Sequence, residues 1–452
     1  MTETSKHAPT EPIFVDPFGS SHGSLRTPKG MGDLLPPDAE ELRTLTRVVI
    51  NQFEQCGYDL IVTPLFEHAD VVERGTDALD PRELLRFVEP ESGEVAVLRP
   101  DITPQIARAV ATRLATHSAP WRLCYEGRVI RRRRGRARSH QQISQAGIEC
   151  VGLAGPEADV EVLELVASAC ESTELQGFRI ELSHVSIAQS LLDTLPSQLH
   201  APISERLARK DGAALAQLAR EANLPADTTR HLCALVEHYG DVDVLDSAQR
   251  ELTWPSAQEA IANLRELVAR LDRDSTRARL GFDLSDARNS SYYTGMSFNV
   301  LAAGPGEPIG SGGRYDHLLQ RYGAPRPATG FAFDLENLQW ALVACGKSRV
   351  EPRAFRVAVG FGTPAEQRRV AESLRKRQLV VATLPSHTDL QSCLAFAKSW
   401  GYDAVLALEG GRARLVRTRD AGERQITSTN DAAQAAADIA ALHSWAQEAA
   451  KD

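Results

Sequence analysis

Residues 121–152, WRLCYEGRVIRRRRGRARSHQQISQAGIECVG, constrain the fold of this chain more than any other stretch. Arg131, Arg132, Arg133 and Arg134, with Arg128, Arg136 and Arg138 around them, concentrate more positive charge than a core can hold. The run reads as a flexible solvated hairpin loop. It also suits three sharper uses: contact with RNA, with phosphates, or with an acidic partner surface.

At 452 residues the chain is too long for one ordinary core, which predicts two or three domains. Hydrophobic residues at 42% and charged residues at 25% match a soluble globular protein. No apolar run approaches a membrane span and no signal-peptide pattern opens the chain, so no membrane is expected as a partner. The seven cysteines (Cys56, Cys124, Cys150, Cys170, Cys233, Cys345 and Cys393) are scattered and never in CxxC. That argues for free thiols in a reducing cytoplasm, and against a disulfide framework or a metal site. The formal net charge of −9 disfavours a general nucleic-acid binder.

Residues 1–26 read as a flexible Ser-, Thr- and Pro-rich tail. Pro36 and Pro37 then open a helical pattern carried by Leu42, Leu45, Val49, Phe53 and Cys56 and ended by Gly57. Short strands are expected at 60–62 and 95–98, a helix at 156–175 with Pro156 in its first turn, and a half-buried strand at 178–185. From about 195 to 276 the chain turns Ala- and Leu-rich, as a helical insertion would. A helix follows Asn337 to about 345, and 346–353 reads as a linker. Residues 354–452 alternate strands (356–360, 379–384, 404–408) with helices (366–377, 390–400, 432–449), a small α/β domain with a mixed or parallel sheet.

Several polar groups suit a small ligand. Asp101 and Thr103 in LRPDIT lie two residues apart on one face, a receptor for an ammonium group. Taken alone, the segment equally suits a surface turn. Gln145 and Glu149 in QAGIE pair an amide with a carboxylate, which can fix an amino acid or an imidazole N–H, or form a solvated polar face. Tyr292 and Tyr293 more often fill a core than bind a ligand. The glycines of GSGGRYD, 310–316, allow close backbone approach but lack the lysine of a P-loop.

The order of these segments is more specific than any one of them. LRPDIT, the basic loop, QAGIE, RNSSYYTG, GSGGRYD and GFAFDLENL succeed one another as in histidyl-tRNA synthetases, and residues 25–342 resemble that family. KGMGDLLPPDAEEL at 29–42 and TPLFE at 63–67 resemble its opening and its dimer-forming first motif. The resemblance implies an α/β (α+β) fold of the class II aminoacyl-tRNA synthetase type. That fold is a six-stranded antiparallel sheet flanked by helices, in a histidine-binding domain at 27–345 that carries the insertion at 195–276. The domain at 354–452 resembles an anticodon-binding domain only in its alternation of elements. By the same resemblance Asp101 and Thr103 hold a histidine amino group, and Gln145 bridges amino and carboxylate groups. Glu149 and Tyr293 grip the two imidazole nitrogens, Tyr292 and Tyr315 wall the pocket, and Arg131 and Arg288 sit at the carboxylate end.

Departures from the family cluster at the ATP end. Ile130, Arg131, Arg132 and Arg133 stand where its second motif reads Phe-Arg-x-Glu, and Ser139 and Gln141 where further arginines fall. Asn337 occupies the place of the third-motif arginine, and RNSSYY replaces RGLDYY. Adenylate formation depends on placed charge around the phosphates, so these changes imply its loss, with no catalytic residue and no cofactor. A kept histidine pocket beside a changed ATP site resembles the regulatory subunits of ATP phosphoribosyltransferase. It implies a cytoplasmic, non-catalytic chain that takes L-histidine as ligand, for feedback on the first step of histidine biosynthesis. The implied partner is a short-form catalytic subunit, with this chain as a homodimer within a hetero-oligomer; tRNA is not expected. A working histidine–tRNA ligase and a stand-alone histidine or RNA sensor are the other readings the residues allow.

Overall fold

The segments on either side of the arginine run form the strands Trp121–Ile130 and Gln142–Val151. They pair antiparallel along their whole length, from Trp121 opposite Val151 to Ile130 opposite Gln142. This computed structural model describes residues 27–75, 84–131, 141–287, 292–347, 355–384, 389–409, 412–419 and 423–426; the loop at 132–140, the tail at 1–26, the 348–353 part of the expected linker and the expected helix at 432–449 lie outside them. The described residues form two compact units, divided between positions 349 and 350.

In the first unit four strands continue from Gln142–Val151 in the order Ala328–Asp334, Gly310–Arg314, Met296–Leu301 and Arg179–His184, every pairing antiparallel. These are the six strands the resemblance implies. Three short segments widen the sheet to nine among the described residues. Asp59–Leu60 adds in parallel beside Trp121–Ile130, and at the far edge Leu280–Asp283 pairs in parallel with Arg179–His184 and carries Tyr239–Gly240 outside it. Segments of two to four residues carry too little periodicity to read from sequence.

Strand side chains alternate between two faces, and the alternation sorts this sheet cleanly. Cys124, Ala146, Ile148 and Cys150 face one core, shared with the helices Asp38–Gln55, Pro156–Ser172 and Leu335–Ala344. Phe53 and Val166 are fully buried there, each contributing about 2 kcal/mol by loss of apolar surface to water. Leu123, Tyr125, Ile143 and Val151 face the other way, against Ile102 and Ile106 of the Thr103–Thr112 region. Between Arg179–His184 and Leu280–Asp283 run seven helices, from Val185–Leu192 to Asp274–Arg277.

Three boundaries differ from expectation for local reasons. The Pro156 helix stops at Ser172, because Glu174 takes a left-handed backbone (φ 58°) that ends it. The last helix of the unit begins at Leu335, before Asn337, because Asp334 caps it by accepting the Asn337 N–H at 3.0 Å. Arg179–His184 is buried from Leu182 to His184 rather than alternating, since strands flank it on both sides.

The second unit has five described strands in the order Val380–Thr383, Arg356–Phe361, Ala404–Glu409, Arg412–Arg417 and Glu423–Ile426. The first three are parallel and the last two antiparallel, so the sheet is mixed. Its helices Pro364–Arg375 and Leu390–Ser399 start at side-chain caps on Thr363 and Asp389. The two antiparallel strands were not expected, since arginines at 412, 414 and 417 interrupt their apolar pattern.

Candidate functional site

Gln145 and Glu149 sit two pleat repeats apart on one strand and therefore share a face. Opposite them in register on Ala328–Asp334 lie Asp334 and Gly330. Gly330 has to be glycine: a Cβ there would collide with Glu149 Oε2. Asp101 and Thr103 come from the turn between Val95–Leu98 and the helix Thr103–Thr112. Arg99 anchors that turn by burying its guanidinium against backbone carbonyls, at 2.8 Å from Arg128 O, 3.0 Å from Thr63 O and 3.3 Å from Pro64 O. Tyr292 and Tyr293 precede the strand Met296–Leu301, and Tyr315 follows Gly310–Arg314.

These elements bring Asp101, Thr103, Arg131, Gln145, Glu149, Tyr292, Tyr293 and Tyr315 around one small pocket. Arg288 lies outside the described residues. Ser311, Gly330, Phe331 and Ala332 also line it, although no role was read for them from the sequence; the strand register that sets Gly330 against Glu149 was the missing signal. The three tyrosines form a packed corner, with ring centroids 5.0 Å apart for Tyr292 and Tyr293 and 5.5 Å, edge to face, for Tyr292 and Tyr315.

The two acids of the pocket live in different surroundings. Asp101 has the Arg131 guanidinium 3.5 Å away, accepts the Ile102 N–H at 2.8 Å, and accepts the Tyr292 hydroxyl at 3.3 Å. Glu149 is buried without a cation and accepts hydroxyls from Thr103, at 2.5 Å, and from Tyr315. Burial pushes its carboxyl well above the usual range; the Thr103 bond opposes the rise and the charge of Asp101 adds to it. Burial likewise raises the phenols of Tyr292 and Tyr293, keeping them neutral donors. Thr103, expected beside Asp101 at an amino group, thus gives its hydroxyl to Glu149, and Tyr315 does more than form a wall. The Gln145 carbonyl Oε1 is buried without a hydrogen-bond partner among the described residues. A buried amide oxygen left unbonded costs roughly 1–3 kcal/mol, so this pocket favours a ligand that donates to it.

At the altered end, Asn337 is buried and its side-chain amide donates to Pro308 O at 3.0 Å. Its neighbour Glu336 accepts the Ser144 N–H at 2.9 Å, its carboxyl pushed up to about 7 by burial and then by Asp334. Arg132, Arg133 and Ser139 lie outside the described residues.

A sheet with helices on one face and an amino-acid-sized set of polar groups on the other defines a class II aminoacyl-tRNA synthetase-like protein. A family model described as histidyl-tRNA synthetase matches residues 30–338. The ATP phosphoribosyltransferase regulatory subunit of Syntrophotalea carbinolica is 32% identical over 88% of this chain and 95% of its own length. That of Anaeromyxobacter dehalogenans is 40% identical over 73% of this chain and 95% of its own. A solved Bacillus halodurans structure, described as an ATP phosphoribosyltransferase regulatory subunit/histidyl-tRNA synthetase, superposes with a TM-score of 0.74 at 26% identity, covering 86% of this chain and all of that one. The histidyl-tRNA synthetase of a Nostoc species shares the fold at TM-score 0.72 and 20% identity, over 91% of this chain and 98% of its own. The chain belongs to the histidyl-tRNA synthetase-like family, among the ATP phosphoribosyltransferase regulatory subunits.

Proposed function

We propose that this chain is the non-catalytic regulatory subunit of an ATP phosphoribosyltransferase, assembling with a short catalytic subunit in the cytoplasm and sensing L-histidine for feedback on histidine biosynthesis. The observation that carries the sensing is the pocket itself. Asp101 with its Arg131 partner suits an ammonium and a carboxylate, the open Gln145 carbonyl suits a donor, and Glu149 with Tyr293 suits the imidazole. A site that satisfies both ring nitrogens rejects side chains that leave its own groups unpaired. Arg288 completes the carboxylate end in this reading. The changed residues at 130–133 and 337 leave no adenylate chemistry, so the domain at 27–345 binds histidine without activating it. The linker at 346–353 and the 354–452 domain resembling an anticodon-binding domain follow it.

Dimerisation belongs to the same reading. The first-motif region exposes Leu60, Val62 (80% exposed), Leu65 (54%) and Phe66, continued by Phe87, Val88 and Val95 on a small three-stranded sheet. Of these, Phe66 and Phe87 meet edge to face with ring centroids 5.3 Å apart, and a second copy of this chain is the occupant we assign to this exposed apolar region.

Feedback requires that histidine bind the inhibited and active assemblies with different affinity. The test is phosphoribosyl-ATP formation by the same organism's short catalytic subunit, with and without this chain, over a histidine titration. Activation by the chain that histidine then removes is expected. No activation by a folded chain would overturn the assignment, and histidine-dependent pyrophosphate exchange with ATP would replace it with the ligase reading.

A further inference from the structure

Gln145, Gly147 and Glu149 point to one face of their strand, and Tyr125 stands directly opposite Gly147 on Trp121–Ile130. Residues directly opposite in a strand pair share a face, so the Tyr125 side chain rises on the pocket side of the sheet. Gly147 leaves the room its ring needs: a Cβ there would come 2.6 Å from the Tyr125 hydroxyl and 2.7 Å from Cζ. The phenol therefore lies across the neighbouring strand, over the position between Gln145 and Glu149. It packs in one cluster with Ile102, Tyr292, Tyr293 and Tyr315.

Tyr125 is 1% exposed, and its hydroxyl meets no partner in hydrogen-bond geometry among the described residues. Gln145 Oε1, orphaned in the same way, belongs to the residue two positions before Gly147 on the same face. A buried polar atom left unbonded is costly and uncommon. Two of them on one strand pair, on either side of Gly147, mark a wall whose bonds are completed when something else enters.

Glu149 offers the acceptor this hydroxyl needs. Its Oε1 takes the Thr103 hydroxyl and its Oε2 the Tyr315 hydroxyl, and an ionised carboxylate oxygen accepts about two bonds, so sites remain on both. Burial pushes the Glu149 carboxyl up, and the Thr103 and Tyr125 hydroxyls are close enough to pull it back. Burial, then the charges of Glu149 and Asp101, push the Tyr125 phenol up, so it remains a neutral donor. The charged groups that face this pair are Asp101, from the turn after Val95–Leu98, and Arg131, from the end of Trp121–Ile130. A carboxylate buried without its own cation stays ionised only where several donors reach it.

We propose that Tyr125 is a positioning residue of the pocket, whose hydroxyl turns onto Glu149 as a third hydroxyl donor when a ligand N–H engages that carboxyl. The proton that Glu149 gives up passes to the ligand's imidazole, or to solvent where the ring arrives protonated. The hydroxyls of Thr103, Tyr315 and Tyr125 then hold the carboxylate against the ring N–H. A side chain with no N–H at that place leaves both Tyr125 and Glu149 unsatisfied, so the hydroxyl sharpens selection for the ring. This role rests on the histidine reading of the pocket and adds to it a residue that does not touch the ligand.

Tyr125→Phe in the full chain removes the hydroxyl and keeps the ring. Without histidine the variant should melt no lower than the wild-type chain, because the bond it lacks is not made there. In calorimetry at neutral pH it should bind histidine about tenfold more weakly, the loss of one charge-assisted hydrogen bond. Repeated across pH, that loss should be full on the alkaline side, where Glu149 is ionised in the complex, and fade as the pH falls and the carboxyl takes up its proton. Histidine's own titration is the same for both chains and cancels from the comparison. A clearly lower melting temperature without histidine would place the hydroxyl in a bond already made and overturn the role. So would an unchanged histidine affinity, or a loss of the same size at every pH, which is what a packing role alone produces. A wild-type chain that binds no histidine sinks the histidine reading, and this role with it.

Discussion

The Glu149 pocket and a larger cleft between the helices Val185–Leu192 and Pro255–Arg270 share Tyr293 as a wall yet are built on opposite principles. The pocket hangs on paired strands, so Gln145, Glu149 and Gly330 are fixed by register, and Glu149 is desolvated and hydrogen-bonded. The cleft is lined by helix faces that carry exposed carboxylates at its rim. Buried, register-fixed groups discriminate by leaving partners unpaired, whereas rim charges attract by field and are screened by salt. The arrangement needed for selectivity therefore belongs to the first.

Substitutions can break this contrast, beginning with the cation of the cleft that directly precedes Tyr315 of the pocket in sequence. Arg314→Met strips the buried Asp159 of its cation and should cost roughly 3–5 kcal/mol in denaturant unfolding. Glu149→Ala should lower histidine affinity by about 100-fold in calorimetry. If histidine inhibition of the assembled enzyme survived that substitution, the pocket would not be the sensor. Gly330→Ala forces a Cβ onto the Glu149 carboxyl and should cost about 1–3 kcal/mol of stability and weaken histidine with it.

The pH dependence sharpens the contrast further. Glu336 is pushed from 4.5 up to about 7, so between those values the folded chain holds a proton the unfolded chain has released. Its contribution to stability is therefore full below about pH 4.5 and declines as the pH rises toward 7. Glu336→Gln should flatten that decline in thermal melts across the same range. The smallest effect expected is that of salt. Raising ionic strength should weaken histidine binding only slightly, because the groups of the pocket are desolvated and poorly screened.

Much of this was legible in the chain. The apolar period from Leu42 to Phe53 states its helix directly, because helical repeat is a local property, whereas the strands at 121–130 and 142–151 emerged only with the fold. The ordered motifs brought eight pocket residues into view before any fold was known. Three features were not legible, for one reason. That Thr103 and Tyr315 spend their hydroxyls on Glu149, that Gly330 must yield space to it, and that Arg314 meets Asp159 all depend on residues tens to hundreds of positions apart. Sequence determined which elements form and which polar groups they carry. Only tertiary structure decided which of those groups are desolvated and which meet, because burial and hydrogen bonding are set by strand register and helix packing across the whole unit.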